Sequence, residues 1–166
     1  VDGSGKKGVL KDACTAVLKA WSNDPSSYYA CGSTIGPYPF PRIVQFAQSV
    51  IGREIKKQIL EKENRLPDMI IACIGGGSNL MGAIHEFLDD KEVSLIGVEA
   101  KDSAALSFGS TGIMQGFKSE MLQTPDGSAT LPTSSLASGI NFYSAGPEHA
   151  YLKKIGRVKY TYASDE

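Results

Sequence analysis

The sequence has 166 residues, 42% of them hydrophobic, and a formal net charge of −1. That is enough apolar material for one domain or slightly more, and the charge balance excludes attraction to nucleic acid or an anionic membrane as an organising property. Apolar runs are too short to span a bilayer, and the polar start from Val1 to Gly8 does not have the pattern of a signal peptide.

Leu10 to Trp21 has helical spacing, with Ala13, Cys14, Val17, Leu18 and Trp21 on one face and Lys11 and Asp12 on the other. A polar turn at residues 22–27 leads to Tyr28 to Cys31, where a strand is expected. Residues 32–41 carry prolines at 37, 39 and 41, which exclude a helix or a central strand. From Ile43 to Glu61 the apolar positions Val44, Phe46, Ala47, Val50, Ile51, Ile55 and Ile59 predict one helix, closed by Asn64 to Pro67.

The most informative stretch follows. Met69 to Ile74 is a short apolar run, Gly75-Gly76-Gly77-Ser78-Asn79 is a turn, and Leu80 to Leu88 returns to helical spacing. A strand, a glycine turn and a helix bring bare N–H groups, a hydroxyl and an amide to a helix start, a ready cradle for phosphate. The same residues also serve an ordinary strand-to-helix turn, with Ser78 and Asn79 as caps. The run matches neither the Walker A loop nor the G-x-G-x-x-G fingerprint. Val93 to Glu99 is a second strand, so the unit predicts a right-handed crossover and a parallel sheet with its ligands at the C-terminal strand ends. Glu99 stands where a dinucleotide fold keeps its ribose-binding acid, which leaves a nucleotide site as an alternative to a solvated strand-end acid.

The three cysteines, Cys14, Cys31 and Cys73, have no metal-ligand spacing and are too few and odd for a disulfide framework. Cys14 and Cys73 fall in apolar stretches and are expected to be small buried hydrophobes. Residues 124–127 form a strong turn, Pro147 starts a helix, and residues 158–163 form a strand. Ser164-Asp165-Glu166 has the pattern of a helix N-cap and acidic first turn, from which a truncated chain is expected.

Several stretches together resemble the beta subunit of tryptophan synthase, a fold-type-II enzyme dependent on pyridoxal 5′-phosphate (PLP). They are residues 10–14, the proline loop from Gly32 to Pro41, residues 50–54, the glycine run 75–79, residues 95–99, and Gly146 to Leu152. The proline loop and the Gly-Pro-Glu-His-Ala-Tyr-Leu stretch are the specific ones, since the glycine loop by itself does not separate this family from other fold-type-II relatives. The resemblance implies an α/β fold, a three-layer parallel sheet with flanking helices, seen as an incomplete internal portion. It implies the end of an N-terminal, communication domain over residues 1–47 and a C-terminal, phosphate-binding domain over 48–166. It also implies a cytoplasmic protein that condenses L-serine with indole to L-tryptophan and water, beside an alpha subunit and a second beta subunit.

By the same resemblance, Gly75, Gly76, Gly77, Ser78 and Asn79 hold the cofactor phosphate, and Ser33 stands beside the cofactor. Lys11 lies in the communication region, and Met114 and Gln115 line the gate of an indole tunnel. Asn141 occupies the position of an aspartate that contacts the serine hydroxyl, and an amide cannot supply its charge. Tyr38 replaces a usual histidine, and residues 100–110 are short against the family's glycine- and histidine-containing segment. The resemblance implies that the family's Schiff-base lysine and catalytic glutamate lie before this chain begins, and no motif marks Lys6, Lys7, Lys101 or Lys118 for that job, so the chain by itself is expected to lack the lysine. A non-catalytic homologue that keeps an anion site or a subunit interface is the alternative.

Overall fold

The computed structural model describes residues 10–166. Helix α1 covers Leu10–Asn23. The segment after it, residues 27–39, is irregular, and Tyr28 to Cys31 is not a strand. No strand pairs with it; Tyr29 instead stacks on Trp21 at 5.2 Å and meets Phe40 edge-on at 5.0 Å. Aromatic packing there replaces the sheet ladder that β propensity alone suggests.

The single helix expected from Ile43 to Glu61 is two, α2 over Phe40–Gln48 and α3 over Val50–Glu63. The break falls at Ser49, whose buried hydroxyl donates to the Phe46 carbonyl at 2.8 Å and accepts from Arg53 at 2.7 Å. A side chain bonded back to its own helix bends it, a local competition that periodicity does not register. Asn64, in the left-handed region at φ 53°, ends α3.

Strand β1 is Met69–Cys73, helix α4 is Ser78–Ile84 continued by a 3-10 turn at His85–Phe87, and β2 is Ser94–Ala100. A short helix α5, Ala105–Phe108, leads into the antiparallel hairpin of β3, Ser110–Met114, and β4, Phe117–Met121. Helix α6, Pro147–Lys154, precedes β5, Lys159–Ala163. The main sheet runs β1-β2-β5, all parallel, with Ile70 opposite Leu95 and Val98 opposite Thr161. This is the α/β architecture expected from alternating strands and helices.

The core gathers on one face of the sheet. Ile70 and Leu95 meet Leu80, Met81, Ile84 and Phe87 of the α4 segment, with Leu106, Leu152 and Val158 closing it from α5, α6 and the start of β5. Helix α3 crosses α4 at two glycines. A Cβ on Gly52 would lie 2.8 Å from the Gly82 carbonyl, and one on Gly82 would lie 2.8 Å from the Gln48 carbonyl. Buried Gln45 of α2 donates to Glu148 of α6 at 2.8 Å.

The end of the α4 segment is held by a residue that no motif marked. Arg157, between α6 and β5, donates to the carbonyls of Phe87 (2.6 Å), Leu88 (2.8 Å), Asp90 (2.9 Å) and Val93 (3.1 Å). A planar guanidinium thus satisfies carbonyls that the helix end leaves open. Asp165 does not start a helix within the described residues; its carboxylate accepts from the Leu136 amide at 2.8 Å. Replacing Arg157 by alanine is expected to destabilise the fold by about 2–4 kcal/mol in urea unfolding. Arg157→Lys should recover less than half of that, because one ammonium cannot span four carbonyls.

Candidate functional site

The Gly75–Gly77 turn sits at the C-terminal end of β1, after Ile74, whose amide bonds the Val98 carbonyl at 2.9 Å. Its orientation is set by where the carbonyls go. The Gly76 carbonyl accepts from the Thr34 hydroxyl at 3.0 Å and the Gly146 amide at 2.9 Å. The Gly77 carbonyl accepts from the Met81 amide at 2.9 Å and lies 2.8 Å from His149 Nε2. In a trans peptide the N–H points opposite the C=O. Both amides that follow, those of Gly77 and Ser78, therefore turn away from these partners, and Gly76, Gly77 and Ser78 border a cavity.

The glycines are required by protein neighbours. A Cβ on Gly75 would lie 2.6 Å from Ile140 Cα, one on Gly76 would overlap the Ser33 hydroxyl, and one on Gly77 would overlap the His149 ring. Gly77 also has φ 114°, which L side chains rarely adopt. The expectation that bare backbone exists to let an anion approach is thus refined: the missing side chains admit Ile140, Ser33 and His149, and those contacts hold the amides in place.

The cavity has a volume of about 330 Å³. Ser33, Gly76, Gly77, Ser78 and Gln115 form its polar border, and Leu18, Trp21, Tyr29, Phe40 and Phe142 its apolar wall. Cys14 and Cys31 also line it. Burial, helped by the Cys31 thiol, raises the pKa of Cys14; burial and a hydrogen bond with Cys31 push Tyr29 up to about 12. These walls stay neutral. Ser33 accepts the Ile35 amide at 3.2 Å, which leaves its own proton to donate. Such a site suits a molecule with an anionic group at one end and a planar, apolar body at the other.

The other expected site residues fall as follows. Asn79 Nδ2 lies 3.3 Å from the Cys73 carbonyl, so this side chain braces the strand end. Met114 ends β3 opposite Phe117, next to the lining residue Gln115, whose backbone has φ 44°. Asn141 follows Ile140, and its Oδ1 is buried with no hydrogen-bond partner among the described residues. The Lys11 side chain, like Lys6 and Lys7, lies outside the described residues, although α1 itself contributes Cys14, Leu18 and Trp21 to the wall. Lys101 and Lys118 are exposed. Among the described residues, no lysine lines the cavity.

Two expectations are corrected. Cys73 is exposed, because alternate residues of β1 face away from the core. Glu99 is neither solvated nor open to a ribose: it is 3% exposed, and its carboxylate accepts the amides of Leu106 (2.8 Å) and Ser107 (2.9 Å) and the Ser107 hydroxyl (2.7 Å). Burial raises its pKa against those bonds. It is a cap for α5, which removes the feature that suggested a dinucleotide.

Fold and cavity together define an α/β protein with a glycine-bordered, apolar-walled cavity at the strand ends of a parallel sheet. Across 95% of its length the chain is 46% identical to the tryptophan synthase beta chain of Fusobacterium nucleatum subsp. nucleatum, and it spans 42% of that relative's length. The chain is homologous to that portion of a tryptophan synthase beta chain. No family model matches it. No helix among the described residues is long and apolar enough to cross a membrane.

His149 is the residue whose local environment sequence reading missed; it was legible only as part of a motif. It is wholly buried, and burial pushes its pKa down to about 4 despite the bond to Gly77. A histidine in the unfolded chain takes its proton near its ordinary value of about 6.5. Between those two values the unfolded state binds more protons, so this group's contribution to stability is intact above about pH 6.5 and is lost as pH falls toward 4. Unfolding free energies measured across that window should show wild type losing on the order of 3 kcal/mol more than His149→Gln.

Proposed function

We propose that this chain supplies the cofactor-phosphate site of a PLP-dependent tryptophan synthase beta-like enzyme, one that condenses L-serine with indole to L-tryptophan and water. The carrying observation is that the carbonyls of Gly76 and Gly77 are bound away from the cavity, so consecutive amides border it beside an aromatic wall. The residues fit the group. The backbone amides of Gly77 and Ser78 and the Ser33 hydroxyl would hold its phosphate, and the apolar wall would take a flat ring; Gly75 does not itself line the cavity. When bound, PLP supplies an electron sink for charge developing on an amino-acid substrate.

The chain's own residues bind, orient and exclude water. Trp21, Tyr29, Phe40 and Phe142 make the wall dry, and Asn79 fixes the strand end from which the cradle rises. Asn141, whose buried Oδ1 has no partner among the described residues, adjoins the lining residue Phe142 in sequence and takes the position that the resemblance gives to the serine-contacting residue. Met114 and Gln115 stand at the indole side, and Lys11 belongs to the communication region. Residues 1–47 and 48–166 are proposed to divide between the two domains, with an alpha subunit and a second beta subunit as partners.

A second reading is a non-catalytic phosphate-binding homologue. It is favoured by an amide at position 141, where the resemblance implies an aspartate.

Purified protein carrying this chain should retain PLP in a manner competed by inorganic phosphate. Gly76→Ala, whose methyl overlaps Ser33, should cut that retention at least about tenfold. Retention indifferent to both would sink the cradle. Borohydride reduction followed by peptide mass analysis, with tryptophan measured from serine and indole, separates the two readings. One modified lysine and indole-dependent product support the enzyme; phosphate-competed binding with neither supports the homologue.

A further inference from the structure

The amide row of the cradle depends on a side chain that does not touch the cavity. His149 comes from the first turn of α6, is wholly buried, and sits against Gly77 in the space a Cβ would fill. Its Nε2 lies 2.8 Å from the Gly77 carbonyl and its Nδ1 lies 3.0 Å from the Tyr160 hydroxyl. A carbonyl only accepts, so Nε2 carries the proton; Nδ1 is then an acceptor, and the Tyr160 hydroxyl donates to it. Tyr160, on β5, thereby sets the tautomer, and its ring stands perpendicular to the imidazole. Two elements far apart in sequence thus fix one proton on one ring nitrogen.

That proton governs the peptide between Gly77 and Ser78. With the carbonyl held by His149, the Ser78 amide points toward the cavity border. Gly77 lacks a side chain and has φ 114°, so its own steric preferences hold the peptide only weakly. The Met81 amide also binds this carbonyl, but it belongs to the same turn and moves with it, whereas His149 anchors it to α6.

We infer that His149 is a positioning residue for the anion site: its Nε2–H, held in that tautomer by Tyr160, aims the Ser78 amide at a bound phosphate monoester. The inference rests on the cradle taking a phosphate, and the test separates failure of that premise from failure of the role given to His149. His149 contributes orientation without charge, since the ring is neutral and shielded from the ligand by the peptide it holds.

The test uses the longest protein that carries this chain. Pyridoxine 5′-phosphate and pyridoxine are titrated by calorimetry, both without an aldehyde, so no lysine chemistry enters. In wild type the phosphate ester should bind at least about tenfold more tightly than the alcohol; equal affinities would refute the phosphate cradle itself. Given that preference, His149→Leu should lose about tenfold in affinity for the phosphate ester while leaving the alcohol unchanged. His149→Gln, whose amide can still donate to Gly77, should return to within about threefold of wild type, with the 31P resonance of the bound ester restored. Equal weakening of both ligands, or no difference between leucine and glutamine, would overturn the role. If His149→Leu does not fold, Tyr160→Phe decides: a lowered phosphate preference supports the tautomer lock, and an unchanged one overturns it.

Discussion

The structure depends on the direction of two peptide groups. Those following Gly76 and Gly77 have their carbonyls bound by Thr34, Gly146 and His149, and only then do their amides border the cavity. The proposed anion site has no cation in its described lining. It relies on several partial charges held at fixed angles, which favour an anion only while the backbone is prevented from turning its oxygens inward. The three holding groups lie in the proline loop, in the segment before α6 and in α6 itself. The site therefore exists only in the assembled fold.

Assembly is governed by close contact. Gly52 and Gly82 allow α3 and α4 to touch backbone to backbone, and Arg157 ties the end of the α4 segment to the start of β5. The segment that begins at the cradle is thus fixed at both ends, by Gly77 and His149 at one and by Arg157 at the other. Gln45 adds a bond from α2 to Glu148, the neighbour of His149, so the helices around the site share a polar frame inside an apolar core.

The cavity wall obeys a second constraint. Cys14 and Tyr29 are kept protonated by burial, so they bring no charge to their side of the cavity. Recognition then falls to shape and to hydrogen-bond donors: amides and the Ser33 hydroxyl at one end, and the stacked rings of Trp21 and Tyr29 with Phe40 at the other.

Much of this was legible in the sequence. The isoleucine-rich run before the glycines, the helical spacing after them and the second apolar strand defined a parallel unit, because burial on a pleated or helical face imposes its own period. Gly75 to Ser78 could be nominated because glycines, a hydroxyl and a helix start suit backbone-led binding, whereas Ser33 and Gln115 entered only through the family resemblance. What periodicity could not show was where Ser49 breaks a helix, that Tyr29 stacks instead of pairing, or that Glu99 caps α5. Each is a contest between local propensity and a partner distant in space. The chain alone determined which residues can turn, pack or donate. Only the tertiary structure decided which way the Gly76 and Gly77 carbonyls face, because their partners Thr34 and His149 lie 42 and 72 residues away and meet them only in the folded protein.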